Sequence, residues 1–180
     1  MKKLKEYTIP FVGLKDGEHL FEFNINKTFF EYFEYDEFKE ASIKLEVKLI
    51  KKATLLEFDF NFNGTVNVAC DNTNELFDQP VLGTFHFVVK FGDSFNNENE
   101  ELLIIPHRSY EVSIQQYVYE SIILSLPTRR IHPGVIDGTL NSDILQKIEE
   151  LRPSPNDSNK DKKEETDPRW DTLKKLLTDK

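Results

Sequence analysis

Any chemistry of this 180-residue chain has to be built from four histidines, one cysteine and a surplus of carboxylates. The histidines are His19, His86, His107 and His132, and no two form the His-x-x-x-His spacing that puts paired ligands on one helix face. Cys70 is the sole cysteine, so no intramolecular disulfide forms and a cysteine-rich zinc site is excluded; histidines and carboxylates remain weak metal ligands. There is no Gly-x-Ser-x-Gly elbow, and the 7 glycines supply no phosphate-cradling loop. His86 falls opposite an apolar strand face, the place of a surface histidine. Cys70 ends an alternating run on its apolar parity and reads as a buried structural thiol, because burial resists ionisation. No catalytic constellation stands out among these residues, and no cofactor, zinc or other metal is expected; an enzyme using surface carboxylates is a third option beside the readings below.

Two groups of cations raise the question of nucleic acid. Arg129 and Arg130, beside His132, either contact RNA phosphate or form a solvated loop after a helix C-terminus, where cations are favoured. Lys44, Lys48, Lys51 and Lys52 make a small basic strip, or else they solubilise an edge strand. The balance of charge opposes RNA binding by a general field. The chain carries 32 acidic and 23 basic residues, a net −9. Residues 152–180 hold 7 acidic and 8 basic ones, leaving 25 and 15 in residues 1–151, a balance of −10.

Alternation of apolar and polar residues sets the elements that position these groups. Tyr7 to Val12 reads as a short edge strand, since Pro10 cannot donate to a ladder. Phe21, Phe23 and Ile25 alternate with Glu22 and Asn24, as in a half-buried strand. Thr28 and Glu31 have capping-box spacing and open a short helix with Phe29, Phe30 and Phe33 on one side. Ile43, Leu45, Val47 and Leu49 form a strand that turns at residues 51–54. The return strand carries Leu56, Phe58, Phe60, Phe62, Val66, Val68 and Cys70 on even positions, with Gly64 marking a bulge or bend. Val81, Phe85, Phe87, Val89 and Phe91 make a third run. Residues 92–100 read as an acidic loop and Leu102 to Ile105 as a short strand. A second capping box at Ser113 starts a helix over 113–125, ended by Leu126-Pro127. Ser142 starts a further short helix through Ile144, Leu145 and Ile148.

Residues 152–166 have almost no apolar side chains and are expected to be disordered. Residues 167–180 read as a short amphipathic helix with Asp167 as N-cap and Pro168 at the first turn. Trp170, Leu173, Leu176 and Leu177 give it an apolar face that either packs on the domain or enters a partner's groove. No apolar run reaches the roughly 18 residues of a membrane helix, and Met1 to Glu6 leads into no signal-peptide core, so a cytoplasmic protein is expected.

Three stretches carry a family resemblance. Asp167-Pro168-Arg169-Trp170-Asp171-Thr172-Leu173-Lys174-Lys175-Leu176 is similar to the terminal Asp-Pro-Arg-aromatic-x-x-Leu-x-x-Leu signature of the YceD family, bacterial and plastid proteins needed for accumulation of large-subunit ribosomal RNA. Tyr110 to Pro127 resembles the family's acidic helix ending in Leu-Pro, and Cys70-Asp71 the start of a Cys-x-x-Cys pair. Thr73 stands where the second cysteine would be, and Thr128 to Leu140 holds no cysteine, so no metal site is carried over.

The expected fold is α+β: a bent antiparallel sheet or partial barrel over residues 1–151, covered by helices. The resemblance implies a non-enzymatic factor in large-subunit biogenesis that binds a ribosomal protein or an assembly factor, with direct rRNA contact as the runner-up. The residues expected at the partner are Asp167, Pro168, Arg169, Trp170, Leu173, Leu176 and Leu177, with Arg129 and Arg130 as RNA contacts. A reading from another class is a barrel-like sheet enclosing a small apolar ligand.

Overall fold

The computed structural model describes residues 4–99, 101–140 and 143–151. After a single 3-10 turn at Lys5–Tyr7, the order is β1 (Thr8–Pro10), β2 (Gly17–Asn26), α1 (Lys27–Tyr32), β3 (Glu40–Lys51), β4 (Leu55–Ala69) and β5 (Leu76–Gly92). There follow β6 (Asn96–Asn99), β7 (Leu102–Pro106), β8 (Glu111–Ser113), α2 (Gln115–Leu124), α3 (Pro133–Ile136) and α4 (Asp143–Glu150). Two units divide the chain, Met1–Leu140 and Asn141–Lys180. In the second, α4 carries Ile144, Leu145 and Ile148 as the sequence predicts.

The first unit is α+β. Its six-stranded sheet has the order β2-β3-β4-β5-β7-β6, and β1 pairs with β8 in a separate ribbon. Strict alternation pins the register of the long strands, because a slip of one residue would turn every Phe of β4 to water. β3 pairs with β4 without interruption from Glu40↔Asn67 to Lys51↔Leu56, and β4 with β5 from Leu55↔Lys90 to Ala69↔Leu76. One face buries Leu45, Val47 and Leu49 of β3, Phe58 and Phe60 of β4 and Phe87 of β5. Phe58 stacks on Phe87 directly across the ladder at 4.9 Å, and Phe87 stacks on Tyr117 of α2 at 4.3 Å. Ile9, Phe29, Phe30, Val112, Val118 and Ile122, from β1, α1, β8 and α2, close the same core. Each buried Phe or Ile contributes roughly 1.5–3 kcal/mol.

Several local expectations give way to better-satisfied alternatives. The sheet does not close into a barrel; it is open, with β2 and β6 at its edges. It is also not wholly antiparallel. β7 inserts between β5 and β6 and runs parallel to β5, so residues 96–99 of the expected 92–100 loop form the edge strand β6. The expected bulge at Gly64 is absent from the ladder. A Cβ there would lie 2.2 Å from the Ser42 carbonyl oxygen, so the glycine permits close approach of two backbones. The third alternating run begins at Leu76, ahead of Val81, and contains Pro80. Proline is tolerated because, among the described residues, β5 has only β4 as neighbour there.

Neither capping box forms. Asn26 precedes α1, Thr28 donates to Asn26 Oδ1 at 2.5 Å, and Glu31 pairs with Lys27 at 3.3 Å. Ser113 is drawn into β8 opposite Thr8, so α2 starts after Ile114. The lysine strip is not on an edge either: β3 lies between β2 and β4. Lys48 pairs with Glu18 at 2.9 Å and Lys52 with Glu57 at 2.5 Å, while Lys51 donates to the carbonyls of Phe11 and Leu14.

Candidate functional site

At the far end of β4 the chain turns sharply and gathers three distant segments. Cys70 N–H donates to the Glu75 carbonyl and Asn74 N–H to the Cys70 carbonyl, both at 2.8 Å. Asn74 closes the turn with φ at 60°, a left-handed value that asparagine tolerates. The loop after α2 docks on this turn. Asp71 N–H donates to the Arg130 carbonyl at 2.8 Å, Arg130 N–H donates to Asp71 Oδ2 at 2.7 Å, and His132 N–H donates to Cys70 Sγ at 3.3 Å. The two stretches where the family resemblance places cysteines are thus adjacent, and hydrogen bonds join them.

Charge at this corner is internally matched. Arg130 Nη1 donates to Glu37 Oε2 at 2.6 Å, its Nε stands 3.8 Å from Asp71 Oδ1, and Tyr35 donates its hydroxyl proton to Glu37 Oε2 at 3.0 Å. The hydrogen bond from Arg130, helped by that from Tyr35, holds the Glu37 carboxyl below its ordinary range. Glu37 in turn raises Arg130. Burial first, and the bond to Glu37 second, push the Tyr35 phenol up to about 12. Arg129, more exposed, donates to the neutral Asn72 Oδ1 at 3.0 Å. One cation shared by two carboxylates is a tie between segments, and a phosphate would have to displace Glu37 to reach Arg130.

Cys70 is 2% exposed and unpaired with any other cysteine. Burial pushes its thiol up, but hydrogen bonds to sulfur from His132, Thr73 and Asn72 outweigh this and leave it lowered. The sulfur is an acceptor inside a turn, out of reach of an external substrate. Among the described residues, no three His, Cys, Asp or Glu side chains gather as a metal site.

Two other surfaces face solvent. An open groove of about 580 Å³ runs between α2 and the β5–β6 side of the sheet. Phe62, Phe85 and Tyr117 floor it, with Asn97, Asn99 and Leu124 among its walls. Gly83 leaves room for the Phe62 ring, which a Cβ would meet at 2.6 Å. The groove is not an enclosed barrel interior. On the outward face of the sheet, His86 Nδ1 lies 2.6 Å from Asp59 Oδ1 as a surface pair, and Glu22 stands directly opposite Glu46.

Of the residues singled out in the sequence, the structure brings Arg130, Cys70 and Thr73 together and places Arg129 beside them. Asp167, Pro168, Arg169, Trp170, Leu173, Leu176 and Leu177 lie outside the described residues, as do Ser142 and the 152–166 linker. Glu37 and Tyr35 were not anticipated. They come from the segment between α1 and β3, and no spacing relates them to Arg130. No helix among the described residues is long and apolar enough to cross a membrane.

The family model described as "Large ribosomal RNA subunit accumulation protein YceD" matches residues 58–177, about two thirds of the chain. The match takes in β4, β5, the Cys70 corner, α2 and the terminal Asp-Pro-Arg-Trp stretch. No curated protein and no solved structure matches the chain.

Proposed function

We propose that this chain, which belongs to the YceD family, is a non-enzymatic cytoplasmic factor that promotes accumulation of large-subunit ribosomal RNA by binding a basic protein of the subunit or of its assembly. The family name implies the role in rRNA accumulation. The mode of action rests on one observation: the corner's main cation is already bound. Arg130 is held by Glu37 and Asp71, inside a region whose balance is −10. Such a field repels phosphate and steers basic proteins. The segment from Asp167 to Leu177 is the proposed anchor, with Trp170 as its main contact, because a Trp buries a large rigid surface at interfaces.

Depletion of the protein should lower large-subunit rRNA relative to small-subunit rRNA. Affinity capture with the full chain, with and without nuclease, should then recover the same identified basic ribosomal or assembly proteins, and Trp170→Ala should lose them. Recovery that vanishes with nuclease would instead support direct rRNA contact. One observation favours that second reading: Arg129 is exposed and, among the described residues, bonded only to a neutral amide.

A further inference from the structure

We propose that the free edge of β2 is a docking site for a basic β-strand of the partner, one with lysine or arginine on alternate positions and apolar residues between them. The proposal rests on the basic-partner reading above and assigns it a surface. Three observations carry it.

The first is the ladder. β2 runs for ten residues, Gly17–Asn26, pairs with β3 throughout without a register shift, and among the described residues has no strand on its other side. No proline or bulge interrupts it, so its outward N–H and C=O groups form a continuous template.

The second is the core face. Phe21 and Phe23 lie opposite Val47 and Leu45, which are 0% and 2% exposed. Phe21 and Phe23 themselves are only half-buried. The apolar layer therefore continues to the edge, where Tyr7 stacks on Phe23 at 5.5 Å and leaves Phe21 the less covered ring. A strand laid alongside would bury these rings with its own inward residues.

The third is the outward face. Glu18 and Glu22 sit on β2, and Glu22 faces Glu46 directly across the β2–β3 ladder. Like charges in that position destabilise a sheet. Lys48 is engaged by Glu18, and among the described residues neither Glu22 nor Glu46 has an ion pair. Lys44 and Lys48 flank Glu46 on β3, so the open side is that of Glu22 at the edge, and a strand presenting a cation there relieves the repulsion. A second copy of this chain does the reverse, because β2 against β2 would bring two Glu18–Glu22 rows together. Charge selects a basic strand over self-association.

The test uses the full chain and a capped ten-residue peptide alternating Val and Lys. Binding is read by anisotropy, and the contact by amide hydrogen exchange. The peptide should slow exchange in β2. Replacing its lysines by glutamate should weaken binding at least about tenfold, which corresponds to about 1.4 kcal/mol. N-methylation of alternate amides along one peptide edge should abolish binding, while methylation along the other should not. Glu22→Gln and Glu46→Gln should each weaken it, with the fold unchanged by circular dichroism. Protection confined to the α2 groove, equal binding of both N-methylated peptides, or a dimer paired through β2 would overturn the assignment. If identified basic proteins still bind the chain while the peptide leaves β2 unprotected, the edge assignment falls and the partner reading stands. If the peptide protects β2 but no basic ribosomal or assembly protein is captured, the edge stands and the partner reading falls.

Discussion

The Cys70 corner and the β2 edge are both rich in carboxylates, yet they treat their charges in opposite ways. At the corner, each charge serves to join segments: Arg130 ties residue 37 to residue 71, and backbone bonds seal the loop onto the turn. At the edge, Glu22 and Glu46 face each other with no ion pair among the described residues, although Lys44 and Lys48 flank Glu46 on the same face, and a ten-residue backbone edge has no described partner. A satisfied network costs energy to open and offers little to a ligand. An unsatisfied edge costs a little stability and leaves binding capacity free. The difference separates the part of the molecule that maintains the fold from the part available to a partner.

The largest effect should come from comparing equivalent residues at the centre and at the edge of the sheet. Phe87 is fully buried between Phe58 and Tyr117, so Phe87→Ala should cost about 3–5 kcal/mol. Phe21→Ala removes the same ring from a half-covered site and should cost no more than about half as much. Urea unfolding of both variants measures the gap. Equal losses would mean that the edge is as closed as the centre.

Next in size is the corner's ion pair. Arg130 is 25% exposed in its side chain and Glu37 51%, so solvent screening sets a ceiling on the gain. Arg130→Ala should destabilise by about 1–2 kcal/mol, more than an ordinary surface pair because two carboxylates lose one shared partner. In a double-mutant cycle, Glu37→Gln should recover part of that loss. No coupling would show the pair to be incidental.

The same pair predicts a pH dependence. The folded state holds Glu37 below its ordinary value. Its stabilising effect is therefore present above the unfolded carboxylate value and lost as pH falls through the lowered folded one. The stability gap between the parent chain and Glu37→Gln should be flat near neutrality and should shrink below about pH 4.3. A gap unchanged down to pH 2 would contradict the shift.

Much of the sheet was legible because its signal is local. Alternation from Ile43 to Leu49 and from Leu56 to Cys70 sets both the strands and the buried face, and β3 and β4 follow it. What escaped depends on contacts distant in sequence. Asn96 to Asn99 has no apolar parity, and it becomes a strand only because β7 offers a ladder. Ser113 had helix-cap spacing but was taken by pairing with Thr8, 105 positions away. At the corner, Cys70 could be placed by parity, whereas Glu37 could not be linked to Arg130 by any pattern. The open edge was illegible for the same reason: a strand's sequence does not say how many neighbours it has.

The smallest expected effect, at Cys70, bears most directly on whether the corner is a sealed tie. If the sulfur serves only as an apolar filler, Cys70→Ala should leave a small cavity and Cys70→Ser should be worse, since it buries a hydroxyl. The observed geometry argues otherwise, because the His132 N–H donates to Sγ and further donors come from Thr73 and Asn72. Alanine would strand those donors as well as open a cavity, a cost of about 1 kcal/mol or somewhat more. Serine, which keeps an acceptor, should recover part of that loss. Thiol labelling gives an independent reading. A thiol lowered by hydrogen bonds would react fast if it were exposed, whereas one sealed beneath the 128–134 loop reacts only when the corner opens. Labelling of the native chain should therefore be much slower than in urea, and Arg130→Ala should accelerate it by loosening that loop. Fast labelling of the parent chain, or a rate indifferent to Arg130, would show that the corner is as open as the β2 edge.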